Sequence, residues 1–225
     1  MALARGDDMA HFKYEAKKYS DPGSANGQPY KTRIVVGRPG DGARFSGLVL
    51  AESMHPSGNT CMFHFTHRYS MSAGHVALDI LTSTHQPFLE FNGARYKDLQ
   101  VLQGQAPEIL AQVGALMKSA QSPIAGLPLR KMILAGTSAS AGVLINYLPA
   151  HTVLRLADMK PIYDGFLPTS TGATIPVRLN AGGTERPVDV PIVQVPTMTE
   201  VASANGVTGR QDADESGNQV RVYEF

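Results

Sequence analysis

The stretch LRKMILAGTSASAGVLINYL, residues 129–148, constrains the fold more than any other part of this chain. Its first part, LRKMILAG, is an apolar run typical of a buried strand, and its last part, ASAGVLINYL, carries apolar residues at helical spacing. Only a few small or polar residues separate the two. The sequence therefore predicts a strand that turns sharply into a helix, with Ser138 at the corner.

Ser138 has two interpretations, a nucleophile or a serine in a tight turn. A serine hydroxyl attacks a carbonyl only when a base takes its proton and donors stabilise the oxyanion. A strained corner between a central strand and a helix lifts the hydroxyl clear of the sheet and brings the next backbone N–H, that of Ala139, toward a substrate oxygen. The corner favours the nucleophile.

The residues around Ser138 fit such a corner. Positions two before and two after the serine approach neighbouring backbone, so they must be small, and here they are Gly136 and Ser140. The usual pattern is Gly-x-Ser-x-Gly, from which Ser140 is a small departure. Ala139, Ala141 and Gly142 keep the start of the helix equally slim. Gly-Thr-Ser also opens the nucleophile motif of subtilisin-like proteases, but the upstream Asp and His contexts of those enzymes are absent.

Other segments alternate between strand and helix patterns. Apolar runs bounded by turn residues predict strands at 31–36, 47–51 and 75–81 and in IYDGFLPTS, VDVPIVQVPTMTE and NQVRVYEF. Helices are predicted at 63–72 and 106–119. Asp-Pro-Gly, Asn-Gly and Pro-Gly-Asp-Gly punctuate the first strands, and NAGGTERP and SANGVTGRQDADESGN are predicted to be surface loops. This order predicts an α/β fold, a mostly parallel central sheet flanked by helices.

Length and composition limit the protein class. The 225 residues suit one domain, 1–225, and the balance of 20 Lys and Arg against 19 Asp and Glu makes nucleic acid a poor partner. No apolar run approaches the roughly 20 residues that span a bilayer, and the start MALARGDDMAHFKYE lacks the apolar core of a secretion signal. We expect no membrane contact and a cytoplasmic location, which the single Cys61 fits; a secreted form after signal removal would read the same.

Six segments of the chain occur in an order similar to that of the α/β-hydrolase superfamily. They are YKTRIVVGRPGDGARFSGLVLAES, FTHRYSMSAGHVALDI, GLPLRKMILAGTSASAGVLINYL, PIYDGFLPTS and DVPIVQVPTMTEV, followed by RQDADESGNQVRVYEF. More narrowly, the chain resembles a bacterial group described only as alpha/beta hydrolase domain-containing proteins. The resemblance implies a serine hydrolase acting on a small carboxylic ester through an acyl-enzyme, with no cofactor and no metal.

The resemblance also implies a catalytic acid after the strand that follows the nucleophile helix. VPIVQVPTMTE supplies Glu200 for this role, and a solvated loop carboxylate is the alternative. Asp164 and Asp189 are weaker candidates, because Asp164 comes too early and Asp189 precedes its strand.

A second oxyanion donor is implied in the loop after an earlier strand. GLVLAES and the residues that follow it fit that place, with a backbone N–H of Ser53–His55, near Met54, as the donor. His55 and His75 are candidate pocket residues, although His55 could equally be exposed. His64, His67 and His75 suggest a metal site, but no carboxylate or Cys completes the usual spacing.

The histidine base should follow the acid in this superfamily, yet all seven histidines precede Glu200. Three explanations stay open. In the first, the sequence stops before a C-terminal His loop and last helix; in the second, an upstream histidine such as His75 or His55 is the base; in the third, the domain is an inactive binding module. Oligomeric state is not readable from the sequence.

Overall fold

The computed structural model describes residues 6–57, 61–83, 85–203 and 211–224. Within these ranges the chain forms eleven strands and six α-helices. The strands are β1 (Tyr14–Ala25), β2 (Gln28–Pro39), β3 (Leu48–Ser53), β4 (Val76–Ile80), β5 (Lys131–Thr137), β6 (Gly165–Thr169), β7 (Arg178–Ala181), β8 (Thr184–Pro187), β9 (Ile192–Gln194), β10 (Ala213–Glu215) and β11 (Asn218–Val222). The helices are α1 (Gly6–His11), α2 (Met62–Ser72), α3 (Gln86–Tyr96), α4 (Ala106–Met117), α5 (Ala139–His151) and α6 (Met198–Ser203).

Nine strands form one sheet in the order β1-β2-β4-β3-β5-β6-β9-β11-β10. The six strands from β4 to β11 in this order run parallel to one another. β1, β2 and β10 are antiparallel to their neighbours. The parallel strands therefore all end at one side of the sheet, the carboxyl edge, and begin at the opposite side, the amino edge. The predicted fold class, a mostly parallel sheet flanked by helices, is confirmed.

Helix α5 packs against β5, β6 and α4 because its apolar residues repeat at intervals of three and four. Its buried side chains are Ser140, Ala141, Leu144, Tyr147, Leu148 and His151. The Tyr147 ring meets the rings of Tyr163 and Phe166, with centroids 5.4 and 6.1 Å apart. Aromatic packing of this kind holds the helix firmly on the central strands, and with it the corner at Ser138.

The hairpin of β1 and β2 differs from the sequence expectation. Asn26 and Gly27 form its turn with φ values of 52° and 69°, as a two-residue type I′ turn requires. Asp21-Pro22-Gly23, expected to break the strand, lies inside β1. That prediction is wrong because β1 is the edge strand, where a proline is tolerated, and because Gly23 makes room for Tyr30, whose ring a Cβ would meet at 2.5 Å.

Two predicted loops contain strands. NAGGTERP forms most of the β7–β8 hairpin, a separate two-stranded sheet that turns at Gly182 and Gly183 with φ of 62° and 84°. The end of SANGVTGRQDADESGN forms β10, which pairs with β11, while residues 204–210 lie outside the described ranges. Across the ranges that are described, no helix has the length and apolar character needed to cross a membrane.

Candidate active site

Ser138 lies at the corner between β5 and α5, at the carboxyl edge. Its backbone has φ 54° and ψ −120°, a conformation that is strained for any residue with a Cβ. The Ser138 N–H donates to the carbonyl of Thr169 at 3.0 Å, and the Ser138 carbonyl accepts from the Gly142 N–H at 3.2 Å. The neighbouring strand and the helix thus hold the strained conformation, and the Ser138 side chain is exposed.

The requirement for a small residue at Gly136 is visible in the structure. A Cβ there would lie 2.6 Å from the Ser140 carbonyl oxygen and 2.8 Å from the Ala141 backbone nitrogen. Gly142 is different, because a Cβ at that position meets nothing within 4 Å. Of these two glycines, only Gly136 makes the close approach that a Cβ would disturb.

An open cleft of about 670 Å³ lies over Ser138. Its lining comes from the loop after β3, the first turns of α2 and the ends of β5, β6 and β9, and no Asp, Glu, Lys or Arg of the described chain belongs to it. The lining residues are His55, Met62, Phe65, Thr66, Thr137, Ser138, Leu167, Thr169, Ser170 and Val195. A cleft walled in this way favours a largely apolar, uncharged ligand.

The two predicted oxyanion donors differ in whether their backbone N–H groups are available to a ligand. Ala139 is the first residue of α5, where backbone N–H groups have no acceptor inside the helix. The prediction of the Met54 N–H as an oxyanion donor is wrong, because this N–H donates to the Ile80 carbonyl at 2.7 Å and continues the sheet. The next residue, His55, lines the cleft, and within the described ranges its N–H has no hydrogen-bond acceptor.

The imidazole of His55 is held by Ser57. The Ser57 N–H donates to His55 Nδ1 at 3.2 Å, and the Ser57 hydroxyl is 2.7 Å from the same nitrogen. Nδ1 is therefore the acceptor, and the proton of the neutral ring is on Nε2. In this tautomer Nε2 of His55 can donate a hydrogen bond to a ligand in the cleft.

His75 lies at the amino edge and not in the pocket. It precedes β4, and its Nδ1 is 2.7 Å from the hydroxyl of Ser46, just before β3. Burial lowers the pKa of His75. At about 3.3 Å per residue, the length of a strand of this sheet puts it roughly 20 Å from Ser138. The prediction of His75 as a pocket residue or base is wrong, because Ser138 follows a parallel strand and His75 precedes one.

Glu200 lies on the segment that follows β9, whose Val195 lines the cleft. Its Oε2 accepts hydrogen bonds from the hydroxyl and the N–H of Thr197, which is the capping-box arrangement of a helix start. The Thr197 hydroxyl, followed by its N–H, lowers the pKa of Glu200. The carboxylate thus reaches the expected edge of the sheet, where its described contacts cap α6.

The two weaker acid candidates have partners at the amino edge. Asp164 Oδ2 is 2.9 Å from Lys118 Nζ and accepts from the Met132 N–H at 2.8 Å. Asp189 Oδ1 is 3.1 Å from Nε2 of the buried His151. Both carboxylates stabilise structure remote from Ser138.

The histidines of α2 take part in no metal cluster of the described residues, which contain no group of three or more His, Cys, Asp or Glu side chains able to hold a metal ion. His67 Nε2 is instead 2.9 Å from Asp8 Oδ2, a contact that joins α2 to α1. His64 is exposed on the same helix.

Sequence reasoning missed Glu52, a carboxyl beneath the corner. Glu52 is only 5% exposed; its Oε1 is 3.0 Å from Ser140 Oγ, and its Oε2 accepts from the Met62 N–H at 2.5 Å. Burial raises the pKa of Glu52 to about 8. The available signal was a carboxylic acid that directly continues the apolar run LVLA, where a buried strand was already predicted.

A parallel sheet with a strained, exposed serine between its central strand and the next helix defines the α/β-hydrolase class. The family model described as "Alpha/beta hydrolase domain" matches residues 7–225, and the chain belongs to this family. A comparison with curated proteins finds no match.

Solved structures of esterases share the fold. A cold-adapted esterase from an Arctic intertidal metagenomic library has a TM-score of 0.52 at 10% identity, covering 95% of this chain and 86% of that one. One of two esterases from the fungus Rhizomucor miehei gives 0.52 at 9% identity, with 94% and 74% covered. Brefeldin A esterase, a bacterial homologue of human hormone-sensitive lipase, gives 0.53 at 11%, with 93% and 68% covered. At these identities the likeness concerns the fold.

Proposed function

We propose that this domain is a serine ester hydrolase that forms an acyl-enzyme on Ser138. The observation that carries the proposal is the backbone of Ser138, strained to φ 54° and ψ −120° at the start of α5 with the side chain exposed in a cleft. Such strain persists only where surrounding structure enforces it, and it clusters at functional sites. A serine serving only to start a helix has no need of it.

The start of α5 supports the first chemical step. When Ser138 Oγ attacks an ester carbonyl, negative charge develops on the carbonyl oxygen. The Ala139 N–H and the positive end of the α5 dipole favour that charge, and the His55 N–H, which has no acceptor among the described residues, is the second donor that we propose in place of Met54. Alcohol then leaves, and water hydrolyses the acyl-enzyme.

The proposal still requires a base for Ser138. Glu200 is the acid that we propose to orient it, which requires the carboxylate to leave its contact with Thr197. In the superfamily order the histidine follows the last parallel strand, which here is β11. His55 is the described histidine in the cleft, but Ser57 holds it in the tautomer that donates through Nε2.

The cleft supports a small to medium carboxylic ester as the substrate. Met62, Phe65, Leu167 and Val195 give it apolar walls, and none of the described lining residues carries a fixed charge. An acyl group or alcohol with a charged end would lose its hydration there without gaining a counter-ion. The esterases with the same fold are consistent with this class of substrate.

The second candidate is an inactive domain that uses the cleft only for binding. It is favoured by one observation: among the described residues no histidine forms a hydrogen bond with Ser138, and the ring of His55, the histidine of the cleft, is engaged with Ser57. Such a domain would bind uncharged esters without hydrolysing them.

Labelling by a fluorophosphonate probe separates the two functions, because the probe reacts only with an activated serine. We expect labelling of this chain, or of a chain carrying any natural sequence that follows Phe225, to be lost in Ser138→Ala and kept in Ser20→Ala, an exposed serine on β1. The absence of labelling from both chains would refute the hydrolase and leave the binding domain.

A further inference from the structure

The hydroxyl of Ser140 faces more acceptors than it has hydrogens. Ser140 is fully buried, and its Oγ accepts the Thr137 N–H at 2.8 Å. The same Oγ is 2.8 Å from the Thr137 carbonyl and 3.0 Å from Glu52 Oε1. A serine hydroxyl donates one hydrogen bond. If Glu52 is ionised, either its buried carboxylate or the partly buried Thr137 carbonyl has no donor from Ser140.

A proton on Glu52 satisfies every atom of this group. Glu52 then donates to Ser140 Oγ, and Ser140 donates to the Thr137 carbonyl. Ser140 Oγ accepts twice and donates once, which is its full capacity. The second oxygen of Glu52 stays free to accept the Met62 N–H, at 2.5 Å.

The charges around Glu52 also favour the neutral acid. Among the described residues, no Lys, Arg or His forms an ion pair with it. Asp79, its neighbour on β4, raises the pKa of Glu52, and the buried Arg33 is engaged with Asp79 at 3.3 Å. Cys61, before α2, is a buried thiol whose pKa is raised, so it supplies neutral bulk rather than charge. The backbone N–H groups of Met62 and Phe63 lower the pKa of Glu52, but burial without a counter-ion is the larger effect and raises it.

We propose that Glu52 is a positioning residue that stays protonated at neutral pH and donates a hydrogen bond to Ser140 Oγ. This hydrogen bond fixes the corner that presents Ser138. The same carboxyl accepts from the N–H of Met62, which lines the cleft. Glu52 therefore joins the nucleophile corner to α2, a wall of the substrate cleft. This inference rests on the proposed function of Ser138, and it explains why Ser140 replaces the usual glycine: its hydroxyl is the acceptor for Glu52.

The direct test follows the side-chain carboxyl of Glu52 by carbon NMR between about pH 5 and about pH 10. Glu52→Gln identifies the resonance, and Glu185→Gln, an exposed residue of β8, is the matched control. We expect Glu52 to be protonated at neutral pH and to ionise near pH 8. A Glu52 carboxyl that is already ionised at neutral pH, with no change in its resonance up to about pH 10, would overturn the proposal.

The second measurement asks whether the corner responds to that proton. The backbone amide resonances of Thr137 and Ser138 should shift with the Glu52 ionisation in the unaltered chain and in Glu185→Gln. They should not shift in Glu52→Gln, whose amide donates to Ser140 at every pH, or in Ser140→Ala, which removes the acceptor. Amide shifts that persist in Glu52→Gln would refute the positioning role.

Labelling rates connect this role to the proposed reaction. As the pH rises through the Glu52 ionisation, we expect the fluorophosphonate labelling rate of Ser138 to fall by about tenfold, the equivalent of one lost buried hydrogen bond, and Glu52→Gln to abolish that fall. The same fall in Glu52→Gln would exclude positioning by the proton. If nothing labels Ser138, the proposed function fails, while the two NMR measurements still decide the inference about Glu52.

Discussion

An alanine at Gly136 and an alanine at Gly142 should have opposite effects on stability. At Gly136 the new Cβ would lie 2.6 Å from the Ser140 carbonyl oxygen and 2.7 Å from its carbon. Both are backbone atoms at the strained corner, so no flexible side chain can move aside. We expect overpacking to cost about 1–3 kcal/mol of the free energy of unfolding.

The same substitution at Gly142 meets nothing within 4 Å. Gly142 lies inside α5, where replacing glycine by alanine removes conformational freedom from the unfolded chain. We expect a gain of about 0.5–1 kcal/mol.

Urea unfolding followed by circular dichroism measures both effects. With an m value of about 3 kcal/mol/M, the Gly136→Ala midpoint should fall by about 0.3–1 M and the Gly142→Ala midpoint should rise by about 0.2–0.3 M. Gly136→Ala should also lose probe labelling of Ser138 in whichever chain shows it. Midpoints that move in the same direction would refute the assignment of the close contact to Gly136.

The buried polar groups supply three further predictions. Burial raises the pKa of Glu52 from 4.5 in the unfolded chain to about 8 in the folded chain. The free energy of unfolding should therefore fall as the pH rises between these values, by at most about 1.4 kcal/mol per pH unit. Glu52→Gln should flatten this part of a pH series of urea midpoints. Asp79→Ala leaves Arg33 buried without its partner at 3.3 Å and should cost about 3–5 kcal/mol in the same assay, so a loss below 1 kcal/mol would contradict the burial of the pair. The Tyr147 hydroxyl has no partner in the described chain, whereas the Tyr163 hydroxyl donates to a backbone carbonyl of α4 at 2.8 Å. Tyr163→Phe should therefore cost about 1 kcal/mol of the free energy of unfolding and lower the melting temperature. Tyr147→Phe should do neither.

The strand-to-helix corner could be predicted because its signals are local. The apolar run before Gly136 predicts the strand, and the small residues after Ser138 indicate that the backbone of the helix start packs closely there. The position of His75 was also available in principle, since the strand predicted at 75–81 begins with it while Ser138 directly follows its own strand. Parallel strands place a first and a last residue at opposite edges.

The partnership of Glu52 and Ser140 could not be predicted in the same way. The two residues are 88 positions apart in the chain, and their contact exists because β3 and β5 are neighbours in the sheet. Pro22 shows a second limit. Whether a proline interrupts a strand or is tolerated within it depends on whether that strand lies at the edge of the sheet, and only the completed sheet decides this.

The edge position of β1 also bears on how the molecules behave in concentrated solution. A strand of twelve residues at the end of a sheet presents unpaired backbone groups that another chain could extend into a larger sheet. Here Lys17 and Lys18 are exposed along it, and Pro22 supplies no N–H. Like charges brought face to face and a missing donor both oppose such growth, so the hairpin that completes the sheet also protects the protein against aggregation through β1.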